Sequence, residues 1–146
     1  MRIKLLAVAL ASAGLFSGPV RAQVEIQWWH SMSGALGEAL NGLANKFNES
    51  QKEYKVVATY KGQYPESMTA AIAAFRAGSA PHLLQVFEVG TATMMAAKGA
   101  IVPVAKVMAD AKEPFDSNAY LPTVTGYYSD LKGNMLSFPF NSSTAL

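Results

Sequence analysis

Glu88 is the only charged side chain between Arg76 and Lys98, and it directly follows the apolar run Leu83-Leu84-Gln85-Val86-Phe87. An ionised carboxylate in such surroundings costs free energy unless water, a cation or hydrogen-bond donors receive it. It is therefore either wet at the end of a strand or placed there to bind something. Three other stretches carry groups suited to reading a small polar molecule: Trp29-His30-Ser31, Gly62-Gln63-Tyr64 and Asn141-Ser142-Ser143-Thr144. Rings pack on C–H faces, while carboxylates, amides and hydroxyls exchange hydrogen bonds with hydroxyl groups, so the set suits a polyol. Each stretch also has a plain structural reading. Trp29 fits the core or its rim, Ser31 fits the cap of the helix that follows, Tyr64 fits a staple ahead of Pro65, and 141–144 fits a turn.

The alternatives in enzyme chemistry lack their residues. There is no Gly-rich phosphate loop ending in Lys-Ser/Thr, no dinucleotide fingerprint and no Gly-x-Ser-x-Gly elbow. The two histidines, His30 and His82, do not have the spacing of a helical zinc motif and read as loop histidines. No catalytic residue, metal or cofactor is expected.

The elements that must position these groups follow from periodicity. Val24 to Trp28 alternates apolar and polar residues as a strand does. Over Gly34 to Ser50, Leu36, Leu40, Leu43, Ala44 and Phe47 recur at helical spacing. Tyr54 to Tyr60 is β-branched and aromatic, hence a second strand, and Lys61-Gly62-Gln63 is a turn. Pro65 then opens a helix to about Arg76, since its missing N–H has no partner to lose there. A third strand is expected over 83–87, with helices over 91–98 (ending at Gly99) and 105–112. A hairpin is expected with Gly126-Tyr127-Tyr128 and Met135 to Phe140 as its arms and its tip at Asp130-Leu131-Lys132-Gly133-Asn134. Strands alternating with helices define an α/β fold with a largely parallel sheet. In such sheets ligands bind beyond the carboxyl ends of the strands, which is where all four stretches fall.

Residues 1–22 read differently. A basic start (Arg2, Lys4), an apolar run from Leu5 to Phe16 and the small-residue sequence before Ala22 form the pattern of a secretory signal peptide, cleaved after about Ala22. Removing Arg2, Lys4 and Arg21 leaves nine basic against ten acidic residues, a net charge near −1. No basic surface remains to argue for nucleic acid. The chain has no cysteine, so neither a disulfide framework nor a lipid-bearing thiol is expected; a soluble periplasmic protein fits. The sequence stops at Leu146 while turning apolar, and reads as one part of a longer protein.

Together, Trp29-His30-Ser31-Met32, Thr59-Tyr60-Lys61-Gly62, 71–76 (AIAAFR), 85–95 (QVFEVGTATMM), 126–130 (GYYSD) and 139–144 (PFNSST) resemble the substrate-binding proteins of bacterial ABC importers. These are the maltose-binding-protein-like extracellular solute-binding proteins. The resemblance implies a class II periplasmic-binding-protein fold, two-lobed and monomeric, that closes on a ligand and hands it to membrane permease subunits. It implies a lobe over 23–137 and the start of a crossover to a second lobe over 138–146. Within the family the likeness implies sn-glycerol-3-phosphate or a glycerophosphodiester as the small-molecule ligand, contacted from this half by Tyr64, Glu88 and Ser143. Because a carboxylate repels a phosphate dianion, Glu88 is then expected to face glycerol hydroxyls or a cationic head group. Backbone N–H groups at the start of the Pro65 helix would help to hold the anion, with its main cationic partner in the rest of the protein. Two rival readings are a sugar-binding protein that uses Trp28 and Trp29 for stacking, and an exported phosphodiester hydrolase.

Overall fold

The computed structural model describes residues 22–97 and 99–141. The segment expected to be a signal peptide, up to Arg21, and Ser143 with its neighbours from 142 onward, lie outside the described residues.

Three parallel strands form the sheet in the order β2-β1-β3: β1 Val24–His30, β2 Tyr54–Tyr60 and β3 Leu83–Leu84. Val24 pairs with Tyr54 through to His30 with Tyr60, and Trp28 and Trp29 pair with Leu83 and Leu84. Helix α1, Gly34–Ser50, crosses from β1 to β2, and α2, Tyr64–Arg76, crosses from β2 to β3 on the other side of β1. The strand order therefore reverses beside β1, and the crevice between the exits of β1 and β3 is a topological switch point.

The apolar pattern explains the packing. Leu40 and Ala44 of α1 are buried, and Ile26, Trp28 and Val56 face Leu43, Ala44 and Phe47 across an apolar hollow of about 340 Å³. Gly37 is required where α1 leaves the strand, because a Cβ there would sit 2.8 Å from the Met32 carbonyl oxygen. The Asn48 amide closes the far end of α1 onto β2, donating to the Val56 carbonyl at 2.8 Å and accepting the Val56 N–H at 2.7 Å. That side-chain amide stands in for a neighbouring strand at the sheet edge.

Three expectations are corrected. The third strand is two residues long, and the chain turns into helix α3, Glu88–Ala96, three residues before the expected start. Gly90, poor in a helix by propensity, is used there because a Cβ would meet Met68 of α2 and Phe87 within 3 Å. Helix α4 runs Val104–Ala111, close to expectation, but Gly126-Tyr127-Tyr128, expected as the first arm of a hairpin, is the end of a helix, α5, Pro122–Tyr128. Pro122 in its first turn suits a helix start. What remains of the hairpin is its tip and a single antiparallel bridge between Ser129 and Met135.

Candidate functional site

The parallel sheet delivers all three strand exits to one edge. The Lys61 N–H donates to the His30 carbonyl at 2.9 Å, and the Gln85 N–H donates to the Trp29 carbonyl at 2.9 Å, so the three chains leave side by side.

Tyr64 is the first residue of α2, and its ring stacks on that of Phe87 with centroids 5.4 Å apart. Phe87 caps α3, so this stack brings Tyr64 alongside Glu88, the first residue of that helix. Glu88 is exposed, and the N-terminus of α3 is where the helix dipole favours a carboxylate. The lone charge is therefore wet and helix-stabilised, with its carboxylate making no ion pair among the described residues. The Tyr127 hydroxyl donates to the Glu88 backbone carbonyl, joining α5 to this corner. Burial, followed by the neighbouring Tyr127 and Glu88, pushes the Tyr128 phenol above its ordinary value.

His30 is not a loop residue, and Ser31 is not a cap. His30 ends β1 and is buried, with Nδ1 accepting the Met32 N–H at 3.3 Å, so the proton of the neutral ring is on Nε2. Burial is the leading cause that holds this imidazole below the ordinary histidine range. His82 is tied to β1 three residues earlier, its Nδ1 accepting the Gln27 N–H at 3.0 Å, so the two histidines do not meet. Among the described residues no group of His, Cys, Asp and Glu is arranged to hold a metal. Ser33, not Ser31, occupies the cap of α1, and the Ser31 Oγ is buried without a partner.

The start of α2 is also occupied. Gln63 and Glu66 form a capping box, the Gln63 side chain accepting the Glu66 N–H and the Glu66 carboxylate accepting the Gln63 N–H. A carboxylate seated there repels an anion, which removes the expected role for the Pro65 helix in holding phosphate. The tryptophans are committed too. Lys61 Nζ lies 4.1 Å from the centroid of Trp29, and Trp28 makes an edge contact with Phe140 at 5.5 Å while facing α1.

Two groups escaped the sequence reading. Gln85 interrupts the apolar run between Leu84 and Val86, and that interruption was the available signal. It is buried, and it links Ser31 to Asn141. Tyr127 and Tyr128 were hidden because their segment reads as a strand. Beside these residues, between β3, α3 and the 137–141 segment, lies a crevice of about 100 Å³ whose polar lining is Gln85, Thr91, Tyr128, Ser137 and Asn141.

An α/β lobe with a topological switch point and, beside the end of β3, a crevice lined by amides, hydroxyls, aromatic rings and aliphatic side chains suits the binding of a small solute. Residues 42–146 match the family of bacterial extracellular solute-binding proteins, and the chain belongs to that family. It is 53% identical over 143 residues to the sn-glycerol-3-phosphate-binding periplasmic protein UgpB of Yersinia enterocolitica, an alignment that covers 97% of this chain and 32% of the relative. To the protein of the same name from Brucella abortus (strain 2308) it is 54% identical over 125 residues, 86% of this chain and 29% of the relative. The chain thus spans about a third of the length of the curated relatives it matches.

Proposed function

We propose that this chain forms part of the solute-binding component of an ABC importer that captures sn-glycerol-3-phosphate, or a glycerophosphodiester, and delivers it unchanged to a membrane permease. The observation that carries the reading is the 53% identity to a protein named for that ligand, over 97% of this chain. In this reading residues 1–22 are a signal peptide cleaved after about Ala22, and the mature protein works as a monomer in the periplasm. Residues 23–137 form most of one lobe, and 138–146 begin the crossover to a second lobe supplied by the further length that the relatives have.

Tyr64, Glu88 and Ser143 contact the ligand from this side. Two of them are supported by position: the Tyr64 ring stacks on Phe87, the residue directly before Glu88, and both helices start at the strand-end edge. Glu88 accepts hydrogen bonds from glycerol hydroxyls, because like charge keeps the phosphate away from it. Lys61, which has no ion-pair partner among the described residues, is a cation at the same edge. Lys61 over the Trp29 ring, and Trp28 directed to the α1 side of the sheet, count against sugar stacking, the principal support for a saccharide ligand.

Calorimetry on the mature protein at the length of its relatives tests the reading. One sn-glycerol-3-phosphate should bind per molecule without turnover. Saccharide binding in its place, or release of a hydrolysis product, overturns the assignment. Glu88→Gln keeps the shape and removes the charge, and should weaken binding about tenfold or more, as expected for a charge-assisted hydrogen bond. An unchanged affinity removes Glu88 from the site.

A further inference from the structure

Gln85 is 8% exposed and sits in an otherwise apolar strand run, where a leucine or valine would bury more favourably. Both ends of its carboxamide are used. Oε1 accepts the Ser31 N–H at 3.1 Å, and Nε2 donates to Asn141 Oδ1 at 3.1 Å. The orientation is not ambiguous. A backbone N–H can only donate, so Oε1 must face Ser31, Nε2 must face Asn141, and the Asn141 amide must turn its oxygen toward Gln85. Three chain segments are fixed by one side chain: the exit of β1, the exit of β3 and the 137–141 segment.

The consequence lies on the other side of Asn141. With Oδ1 committed, its Nδ2 carries donors that meet no protein acceptor among the described residues. Asn141 is exposed and lines the crevice of about 100 Å³ together with Gln85 and Tyr128. A neutral N–H donor aimed by a buried partner suits an acceptor oxygen of an anionic ligand, which the Glu88 carboxylate disfavours at its own end. We propose that Asn141 is a further ligand-binding residue, donating through Nδ2 to an acceptor oxygen of the ligand, and that Gln85 is the positioning residue that holds it in that orientation. This rests on the transport reading above.

Three single variants and one double variant of the mature protein at relatives' length separate donor, clamp and fold, with sn-glycerol-3-phosphate as the titrant. Asn141→Asp keeps an acceptor for Gln85 and removes the donors; it should weaken binding at least tenfold at an unchanged melting temperature. Asn141→Leu removes donor and clamp without adding charge, and should weaken binding about tenfold, the size expected for one or two lost hydrogen bonds. Gln85→Leu should weaken binding similarly, and adding Asn141→Leu to it should cost less than twofold more, because the pair acts as one device. Affinity within twofold of wild type for both Asn141 variants overturns the donor role. Fully multiplicative losses, or a lowered melting temperature with unchanged affinity in Gln85→Leu, overturn the positioning role. Amide exchange at Ser31 N–H reads the clamp without any ligand: Gln85→Leu should accelerate it, and equal protection in both proteins overturns the clamp. A wild-type protein that fails to bind sn-glycerol-3-phosphate, with Ser31 exchange still sensitive to Gln85, refutes the transport reading and leaves the clamp standing.

Discussion

The strand-end edge and the Asp130 turn both depend on polar side chains holding backbone, yet they are built on opposite scales. At the edge, Gln85 reaches partners 54 and 56 positions away in sequence, Ser31 and Asn141. In the turn, Asp130 Oδ1 accepts the N–H groups of Lys132 and Asn134, two and four residues on, and Gly133 supplies the positive φ of +82° that closes it. The hydrogen bonds from Asn134, side chain and then backbone, hold the Asp130 carboxyl below its ordinary value although the group is exposed. A local device of this kind can form from its own residues; the edge exists only once three segments have folded together. The first is therefore cheap to perturb, and the second concentrates the consequences of a change.

The largest effect should come from the core that brings the strands together. Leu40 is 3% exposed under the sheet. Leu40→Ala removes buried methyl groups and leaves a cavity, a loss of about 3 kcal/mol measurable by urea denaturation. A loss under about 1 kcal/mol would mean that α1 is not the support of the sheet, and the contrast between edge and turn would lose its basis.

That contrast also sets what could be read from the residues. Helix α1 and strand β2 were legible with their ends, because Leu36, Leu40, Leu43 and Phe47 carry the helical period and Tyr54 to Tyr60 is β-branched and aromatic. The Asp130 turn was legible for the same local reason. Helix α5 was not: Tyr127-Tyr128 favours a strand by propensity, and the start signal at Pro122 was overlooked. The two-residue β3 was overestimated because an apolar run does not say where pairing stops; pairing ends at Leu84, and the Gln85 side chain then turns to Ser31 and Asn141. At the strand ends, placing polar groups needed only the α/β pattern: Tyr64 opens the helix after β2 and Glu88 the helix after β3. The links through Gln85 and Tyr127 could not be read, since nothing in the spacing of residues 39 to 56 positions apart marks a contact.

A smaller effect should appear as pH dependence at the edge. The burial of His30 lowers its native pKa from the unfolded value of 6.5. As pH falls through 6.5 toward the native value, the unfolded chain takes up a proton that the native ring does not, so stability is full above that window and declines within it. His30→Asn keeps an acceptor for the Met32 N–H but cannot titrate. Denaturation midpoints taken between pH 7.5 and 5.5 should fall more for wild type than for the variant. Parallel declines would place the proton uptake elsewhere and show the edge to be no more pH-sensitive than the rest of the lobe.

The smallest effect belongs to the locally built region. Lys106 and Asp110 of α4 form an ion pair at 2.6 Å with side chains 61% and 63% exposed. Exposed pairs at this spacing contribute only about 0.3–0.5 kcal/mol. Here the order is also unfavourable: the cation lies in the first turn of an eight-residue helix and the anion in the last, each against the helix dipole. Lys106→Ala should therefore shift stability by less than about 0.5 kcal/mol in either direction. Exchanging the charges, Lys106→Glu with Asp110→Lys, keeps the pair and aligns both ends with the dipole, for a gain of about 0.5 kcal/mol. Thermal melts at low and high salt check this, since a gain of electrostatic origin shrinks as salt rises. A salt-independent gain would assign the change to helix propensity or packing.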